Sequence, residues 1–372
     1  MSRGPSLWTP TLVRVTVTLL LGAGVANLFV IAPRFLGEAG YDKRDIGVVM
    51  GGFNLASLFA ATAIAGLCRR FGYPRVIAAG CALAAAGAAV FAAADSMASF
   101  TAARAIHGAG MAAIMIGATA YVAETAPAER LGQALGVAGV LTLVAMALGP
   151  ALAQLLHDVG GWAWVWQAGI VSGVAAAALA LTLPPIGDHA VGPSPAAARP
   201  WPALITTTLA GVGFGAIWSF LADYGPRAGA PVVTGFFTAY VAAAVTARLA
   251  LGGLSDRVGR AAVVVPALLG HAVALLAMSR LGAGWHLVAI GVLYGLCHGV
   301  YYPALQALVV ERAGGHRGAA IAASTFAFGL GLVVASFGLG ALARAVGYPA
   351  IYLVAAAAGL AAAGVLAASE RR

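Results

Sequence analysis

Charged residues are scarce in this chain of 372 residues: Asp, Glu, Lys and Arg together make up 9% of it, whereas soluble globular proteins carry about 25%. Hydrophobic residues make up 62% of the sequence, and the mean hydropathy is +0.94. The sequence contains neither the phosphate-binding pattern G-x-x-x-x-G-K-[ST] nor a metal-hydrolase helix. The composition therefore excludes a soluble enzyme, predicts that the protein is not an enzyme at all, and indicates a chain embedded in a lipid bilayer.

Cysteine is also rare, and no acidic residue lies in the middle of a long apolar run. The three cysteines, Cys68, Cys81 and Cys297, are odd in number and far apart, so we expect neither a disulfide framework nor a cysteine metal site. The acidic residues that come closest to lying inside a run are Glu124 and Asp223, each at the end of one. The deepest charged or titratable residues in the N-terminal half are instead basic, at Arg104 and His107, so the sequence favours an anionic, zwitterionic or neutral ligand over a cation.

Apolar runs long enough to cross a bilayer fill nearly the whole chain. A spanning helix needs about 20 mostly apolar residues, and short breaks rich in charge, proline and glycine separate the runs. The predicted spans are residues 11–32, 46–68, 75–95, 98–123, 131–156, 162–183, 201–222, 232–254, 261–280, 284–310, 318–342 and 347–369. The first run is interpreted as a span rather than a signal peptide, because eleven more follow it.

Basic residues exceed acidic ones by 21 to 12, a net charge of +9. In a soluble domain this excess would indicate a nucleic-acid partner, but here the basic residues are scattered singly between apolar runs. Alternate sides of the spans carry twelve and six of them, and the richer side is expected to be cytoplasmic. We therefore predict a multi-pass inner (plasma) membrane protein with both termini in the cytoplasm, the bilayer as its partner and no nucleic acid.

The sequence repeats itself when it is shifted by 187 residues. Charged residues carry the match: Arg70 aligns with Arg257, and the pair Glu124 and Arg130 aligns with Glu311 and Arg317. The offset contains six spans, an even number, so the two copies have the same orientation in the membrane. The predicted domains are a six-helix half at 1–183, a cytoplasmic linker at 184–200 that is rich in Pro, Gly and Ala, and a six-helix half at 201–372.

The segment Gly252–Arg260 reads G-G-L-S-D-R-V-G-R and resembles the G-x-L-x-D-R-x-G-R loop of the major facilitator superfamily. Its counterpart in the first half, Ala65–Gly72, has Arg69 at the position of the family's Asp. The resemblance implies an all-α membrane fold of 12 transmembrane helices in two parallel six-helix halves. It also implies secondary active transport by alternating access, with a proton gradient as the energy source and no cofactor.

In this loop an Asp can meet the positive N-terminus of a helix in the opposite half, which Asp256 can do and Arg69 cannot. Such a contact would act as a latch that closes the cytoplasmic side. Arg248 lies two helical turns before Asp256 on the same face. The two residues therefore form either part of this latch or a structural ion pair that satisfies a costly intramembrane Arg. The predicted cytoplasmic latch comprises Arg69, Arg70, Gly72, Glu124, Arg130, Arg248, Gly252, Asp256, Arg257, Gly259, Arg260, Glu311 and Arg317.

The fourth span contains Arg104–Gly110, which resembles the R-x-x-Q-G-x-G pattern of proton-coupled carriers with His107 in place of Gln. An Arg inside the bilayer is costly unless it faces a cavity or a partner. Histidine titrates near neutral pH, so His107 either carries the coupled proton or donates a hydrogen bond to a neighbouring carbonyl. Arg104, His107 and Asp223 are the residues predicted to carry transport and proton coupling.

The fifth span resembles the pattern of family exporters at Gly149 and Pro150, flanked by the small residues Ala145 and Ala153. Pro150 removes one backbone hydrogen bond and bends the helix. Polar and aromatic residues deep within other spans are predicted to line the substrate cavity: Asn27, Asn54, Trp218, Tyr240, His298, Tyr301, Tyr302 and Gln306.

The sequence therefore predicts a monomeric carrier that exports a small organic molecule in exchange for protons. One alternative is an importer, including a copper importer that uses His107, Met111, Met115 and His298, since imidazole and thioether ligands suit copper(I); methionine at helical spacing is also common in plain packing. Another alternative is a non-transporting membrane sensor with the same fold.

Overall fold

The computed structural model describes residues 8–126, 131–186, 200–251, 254–313 and 317–371. These ranges are helical throughout and contain no strand, apart from short turns between helices. The helices are α1 (Pro10–Leu28), α2 (Ala32–Glu38), α3 (Lys43–Phe71), α4 (Tyr73–Ala92), α5 (Met97–Thr125), α6 (Leu131–Leu181), α7 (Trp201–Arg227), α8 (Thr234–Leu251), α9 (Leu254–Val258), α10 (Arg260–Met278), α11 (Gly284–Arg312), α12 (Arg317–Val334), α13 (Gly340–Val346) and α14 (Tyr348–Glu370). A π-helical turn, Ala335–Leu339, joins α12 to α13.

Eleven helices within the described ranges are long and apolar enough to cross a membrane. One of them, α6, has 51 residues and is interrupted at Gly161, whose φ of 70° and ψ of −171° are not helical. A span needs about 20 residues, so α6 is long enough for one span on each side of Gly161. Gly161 falls in the gap between the predicted spans 131–156 and 162–183. The prediction of an all-α, multi-pass membrane protein is confirmed.

Local sequence signals set several helix starts. Thr9 caps α1 by accepting a hydrogen bond from the backbone N of Leu12 at 3.1 Å. Ser96 and Ser99 form a reciprocal capping box at the start of α5, which satisfies backbone N–H groups that a helix leaves free at its first turn. Because these caps use residues at the predicted breaks, helix boundaries and sequence breaks coincide.

The chain divides into two compact units. The first comprises Met1–Ile31 and Gly52–Ala190, in which α1 packs on α5 and α6, and α4 packs on the same two helices. The second comprises Ala32–Gly51 and Val191–Arg372, in which α7 packs on α2, α12 and α14, and α11 packs on α8 and α10. The sequence does not predict that residues 32–51 pack with the second unit. The domain boundary predicted at 184–200 stays a prediction, since residues 187–199 lie outside the described ranges.

The 187-residue repeat is visible in the way helices cross. A Cβ at Gly108 would overlap the carbonyl oxygen of Phe53, and a Cβ at Gly295 would overlap that of Tyr240. Phe53 and Tyr240 are related by the repeat offset, as are the two glycines. Small residues at such crossings let two backbones approach closely. The same crossing is therefore used once in each unit, between α3 and α5 and between α8 and α11.

Gly72 and Gly259 give a second sign of the repeat. They lie 187 residues apart, have φ of 81° and 94°, and immediately precede α4 and α10. This left-handed backbone favours glycine because a Cβ would clash there. Both were predicted as latch glycines, and in each unit they permit the sharp turn between consecutive helices.

Candidate functional site

Arg104 lies at the centre of a small buried cluster in the first unit. Its side chain is only 4% exposed, and His107, one helical turn further along α5, is fully buried. Arg104 donates from Nη1 to Nδ1 of His107 at 2.9 Å. The guanidinium carbon lies 4.5 Å from the ring centre of Phe53 and 5.5 Å from that of Phe29. Two aromatic rings and one imidazole therefore surround the charge.

Within the described residues no carboxylate pairs with Arg104, and its Nε has no hydrogen-bond partner. Cation–π contacts contribute about 0.5–2 kcal/mol each, which offsets only part of the several kcal/mol needed to bury a charge. An arginine has no acceptor of its own, so His107 must accept at Nδ1 and is therefore uncharged in this arrangement. The cluster is a buried positive site in which Nε of Arg104 has no acceptor among the described residues.

The predicted exporter bend packs against this unit's first helix. Gly149 in α6 faces Asn27, and a Cβ there would overlap the Asn27 side chain. Asn27 is buried and donates from Nδ2 to the carbonyl of Ala23 at 2.8 Å. Its side-chain amide therefore has a hydrogen-bond acceptor within α1. Pro150 lies inside α6. Asn54 in α3 is half-buried and has a partner of its own.

Asp223 is the buried acid of the second unit, with 4% exposure near the end of α7. Its carboxylate accepts from Nε of Arg227 at 2.9 Å and from the hydroxyl of Tyr348 in α14. Gly37 in α2 lies directly against this group, where a Cβ would overlap the carboxylate. The sequence singled out Asp223 but not Tyr348 or Gly37, because their proximity depends on how α2 and α14 pack on α7.

Further contacts join the 32–51 segment to the end of the second unit that holds Asp223. Asp42 forms an ion pair with Arg344 at 3.1 Å, and Lys43 lies 5.0 Å over the ring of Tyr348. Gly47 approaches the backbone of the π-helical turn at Ser336 so closely that a Cβ would overlap the carbonyl. The contacts of the 32–51 segment thus include a buried carboxylate, an exposed ion pair, a cation–π contact and a close backbone approach.

The second unit also contains an aromatic group in its interior, made by α7, α8, α11 and α12. Trp218 stacks on Phe214 with ring centres 4.1 Å apart, and Tyr240 shares a 2.9 Å hydrogen bond with Nδ1 of His298. Tyr302 stacks on the His298 ring at 5.2 Å. Gln306 donates to the Tyr302 hydroxyl at 3.1 Å. The structure brings together Trp218, Tyr240, His298, Tyr301, Tyr302 and Gln306, six residues that the sequence predicts for the cavity.

His271 in α10 is a buried residue that the sequence reasoning missed. Its ring lies 4.4 Å from that of Tyr294 and 5.2 Å from that of Tyr301. Neither ring nitrogen has a hydrogen-bond partner among the described residues. The repeat offers no signal, because the offset aligns His271 with Ala84. The available signal was simply a histidine in the middle of the apolar run 261–280.

Among the latch residues whose side chains the structure describes, Arg260 donates from Nε to Glu311 at 2.8 Å. Arg69, Arg70, Glu124 and Arg257 are exposed, and Arg248 is half-buried with no partner for Nε among the described residues. Gly252 and Arg130 lie outside the described residues, as do the side chains of Asp256 and Arg317. The interaction of Asp256 with a helix N-terminus therefore stays a prediction.

The copper alternative stays a prediction, because two of its four proposed ligands are methionines. Within the described residues no group of three or more His, Cys, Asp or Glu side chains is arranged to hold a metal ion. His107 shares its Nδ1 with a guanidinium, and the adjacent positive charge would repel a metal cation. Met111 and Met115 are half-buried on the same helix.

Apolar helices long enough to span a bilayer, with a buried cation in one unit and a buried aromatic group in the other, are compatible with a membrane transporter. The family model of the Major Facilitator Superfamily matches residues 15–236 and 203–370. The chain belongs to the major facilitator superfamily.

Individual relatives agree with this assignment. The uncharacterized transporter YebQ of Escherichia coli (strain K12) is 30% identical over 146 residues, which is 39% of this chain but only 32% of that relative. Two crystal structures of the nucleoside transporter NupG, one of them a mutant, superpose with TM-scores of 0.81 and 0.79 at 12% and 11% identity. They cover 96% and 98% of this chain, and 99% and 100% of theirs. The human organic anion transporter MFSD10 (TETRAN) gives a TM-score of 0.65 at 18% identity, covering 96% of this chain and 100% of its own.

Proposed function

We propose that this protein is a proton-coupled carrier of a small organic anion, working by alternating access as a monomer with twelve spans. Its place is the inner membrane, with both termini in the cytoplasm, and it uses the proton gradient and no cofactor. The observation that carries the proposal is Arg104, a buried cation without a carboxylate partner among the described residues.

An anionic group on the substrate would complete the hydrogen bonding of Arg104. A carboxylate or phosphate could accept from the guanidinium, including the Nε that has no partner in the described chain. Hydrogen bonds to charged groups contribute about 1.5–3 kcal/mol each. A cationic substrate would instead be repelled. The buried charge thus selects the sign of the substrate.

Coupling to protons rests on Asp223 and His107. Protonation of Asp223 would leave Arg227 without its negative partner and weaken the contact with α2, so acid on that side would loosen the 32–51 segment. This segment follows the first span, and the basic-residue count favours a non-cytoplasmic side for it. External protons would then open the outer side and let the substrate leave, which is export by antiport, the direction that the Gly149–Pro150 pattern favours.

The opposite direction of transport, import, is favoured by the adjacency of Arg104 and His107. An anion that binds Arg104 releases Nδ1 of His107, which can then take a proton beside the new negative charge. Proton and anion would in that case bind together and move together, which is import by symport. The two directions differ in the sign of the proton flux that accompanies the substrate.

The substrate panel is guided by the aromatic group of the second unit. The parallel rings of Phe214 and Trp218 could stack a planar ring of the substrate. NupG is a transporter of nucleosides and MFSD10 one of organic anions. Nucleosides, nucleotides, dicarboxylates, amino acids, sugars and cationic dyes therefore belong in the panel.

The experiment measures flux in proteoliposomes that contain a pH-sensitive dye. Arg104→Gln is expected to raise the half-saturating anion concentration about 10- to 100-fold, since 1.4 kcal/mol corresponds to tenfold. Arg104→Lys is expected to retain part of the affinity. Arg280→Gln is the matched control, because Arg280 is exposed in the turn after α10.

Three outcomes would contradict the proposal. Transport of cationic dyes with indifference to anions would refute the substrate class. Anion flux without any proton movement would refute the coupling. Saturable binding of the anion without flux in intact proteoliposomes would favour a sensor with the same fold.

A further inference from the structure

We propose that His271 is a proton-binding site of the second unit, enclosed by Tyr294, Tyr301 and His298. This inference rests on the proposed proton coupling and names a residue for it that lies outside the Arg104 and Asp223 clusters. His271 is fully buried, and both its ring nitrogens lack a hydrogen-bond partner among the described residues. The hydroxyls of Tyr294 and Tyr301 and Nε2 of His298 are likewise buried without a partner.

The size of the site excludes a larger ligand. Gly213 in α7 lies directly against the imidazole, and a Cβ there would come within 2.6 Å of Nε2 of His271. On the other side the ring is 4.4 Å from that of Tyr294. An organic substrate would need far more room than this. A proton needs no space beyond that of the ring nitrogen that binds it.

The chemistry of the neighbours suits a ring that gains and loses a proton. A neutral imidazole has one nitrogen that can accept a proton, and a charged imidazole has two N–H donors. Tyrosine hydroxyls can donate or accept and can rotate between the two roles. Tyr294 and Tyr301 can therefore donate to the neutral ring and accept from the charged one, so the cluster serves both states of His271.

The groups around His271 come from the helices packed on α10. From α11 these are Tyr294, Tyr301 and His298, and behind them Tyr240 and Arg248 in α8; from α7 the facing residue is Gly213. Tyr352 in α14 has a buried hydroxyl that also lacks a partner in the described chain. Arg248 is the one formal charge in this set, and its sign opposes protonation. The charged state of His271 is therefore a transient one, reached when the unit opens to water.

His298 joins this site to the aromatic group described above. Its ring lies 5.2 Å from that of Tyr301, and its Nδ1 is bonded to the hydroxyl of Tyr240, which leaves Nε2 as the free nitrogen. Tyr302 stacks on the same ring. A change in the charge of His271 can thus act, through the ring of His298, on Tyr240 and Tyr302. Both of these residues are predicted to line the substrate cavity.

The first experiment follows proton binding directly, with the proton as the only ligand. Nuclear magnetic resonance spectra of protein labelled on its histidine rings are recorded in lipid nanodiscs from pH 5 to pH 9, and the His271 signal is the one missing in His271→Gln. The His271 signal is expected to titrate between pH 5 and pH 9 in the wild type or in the Asp223→Asn variant. This variant is included because it should populate the open state of the protein. A ring that stays neutral throughout in both proteins would overturn the proposal.

The second experiment measures transport in proteoliposomes with the anion that the panel identifies. His271→Gln and His271→Phe are expected to lose at least tenfold of the accumulation driven by a pH gradient, and anion exchange in His271→Gln should no longer depend on pH. His286→Gln is the matched control, because His286 lies in the first turn of α11 and its Nδ1 accepts from the backbone N of Gly282. Gly213→Ala should displace the ring and alter the pH profile as well.

The outcomes separate this inference from the proposed function. If the wild type moves no protons with the anion, the proposed function fails. If the wild type is coupled and His271→Gln keeps the wild-type pH profile, only the role of His271 fails. Equal losses of gradient-driven transport and of exchange in His271→Gln, with the pH dependence retained, would mean that His271 is structural and would also overturn the proposal.

Discussion

The packing of the 32–51 segment predicts that Asp223 controls the attachment of this segment far more strongly than Asp42 does. Asp42 and Arg344 have side chains 39% and 56% exposed, and such pairs contribute about 0.2–1 kcal/mol. Asp223 has a side chain 5% exposed and binds both Arg227 and Tyr348. Removing its charge leaves a half-exposed guanidinium that can turn to water, so we expect a loss of about 1–3 kcal/mol.

These free energies translate into different populations of the detached segment. Asp223→Asn should shift the equilibrium between attached and detached states by about 5- to 150-fold, and Asp42→Asn by less than about fivefold. Asparagine at position 42 keeps the helix-capping role of Asp42, whose carboxylate accepts from the backbone N of Arg44 at 2.8 Å. The Asp42 variant therefore isolates the loss of the exposed ion pair.

The assay is chemical cross-linking between two introduced cysteines, Arg44→Cys and Ala345→Cys, both at exposed positions, in a background that lacks the three native cysteines. Asp223→Asn should reduce the cross-linked fraction at pH 7.5. Asp158→Asn, an exposed acid of the first unit, is the control. An Asp42 effect larger than the Asp223 effect, or an unchanged cross-link in Asp223→Asn, would refute the reasoning.

Three further variants test the packing. Tyr348→Phe removes one hydrogen bond to Asp223 and should lower the cross-linked fraction by about fivefold or less, for a loss near 1 kcal/mol; an effect above that of Asp223→Asn would contradict this. Gly108→Ala places a methyl group on the Phe53 carbonyl and should destabilise the protein by about 1–3 kcal/mol in thermal unfolding, whereas Gly136→Ala, with nothing nearby, should not. Pro150→Ala should raise the unfolding temperature and slow flux, because it restores a backbone hydrogen bond to α6; faster flux would argue against a functional bend.

The helical architecture could be predicted from the sequence because each span is a local property. Some 20 apolar residues form a helix in lipid wherever they occur, since every backbone group must be satisfied internally. The break at Gly161 was visible as a polar gap in the same way. The packing of residues 32–51 with the second unit was not visible, because it depends on contacts such as Gly47 with Ser336 that are about 290 residues apart.

The candidate site was predictable where it lies on one helix. Arg104 and His107 are three residues apart on α5, a spacing that brings side chains together on a helix face. Phe29 and Phe53, which cover the charge, come from other spans and gave no signal. His271 was passed over because the search followed motifs and the repeat, and neither marks a single histidine in an apolar run.

The surroundings of Arg104 bear on how the protein is made. A ribosome releases the chain from its N-terminus, so α1 and α3, which carry Phe29 and Phe53, enter the membrane before α5 does. When Arg104 emerges from the insertion machinery, at a charge penalty of about 2.5–3.5 kcal/mol near the bilayer centre, the two rings are already there to receive it. Its hydrogen-bond acceptor, His107, arrives three residues later on the same helix. The first unit can therefore assemble around its buried charge during synthesis, before residues 191–372 of the second unit have left the ribosome.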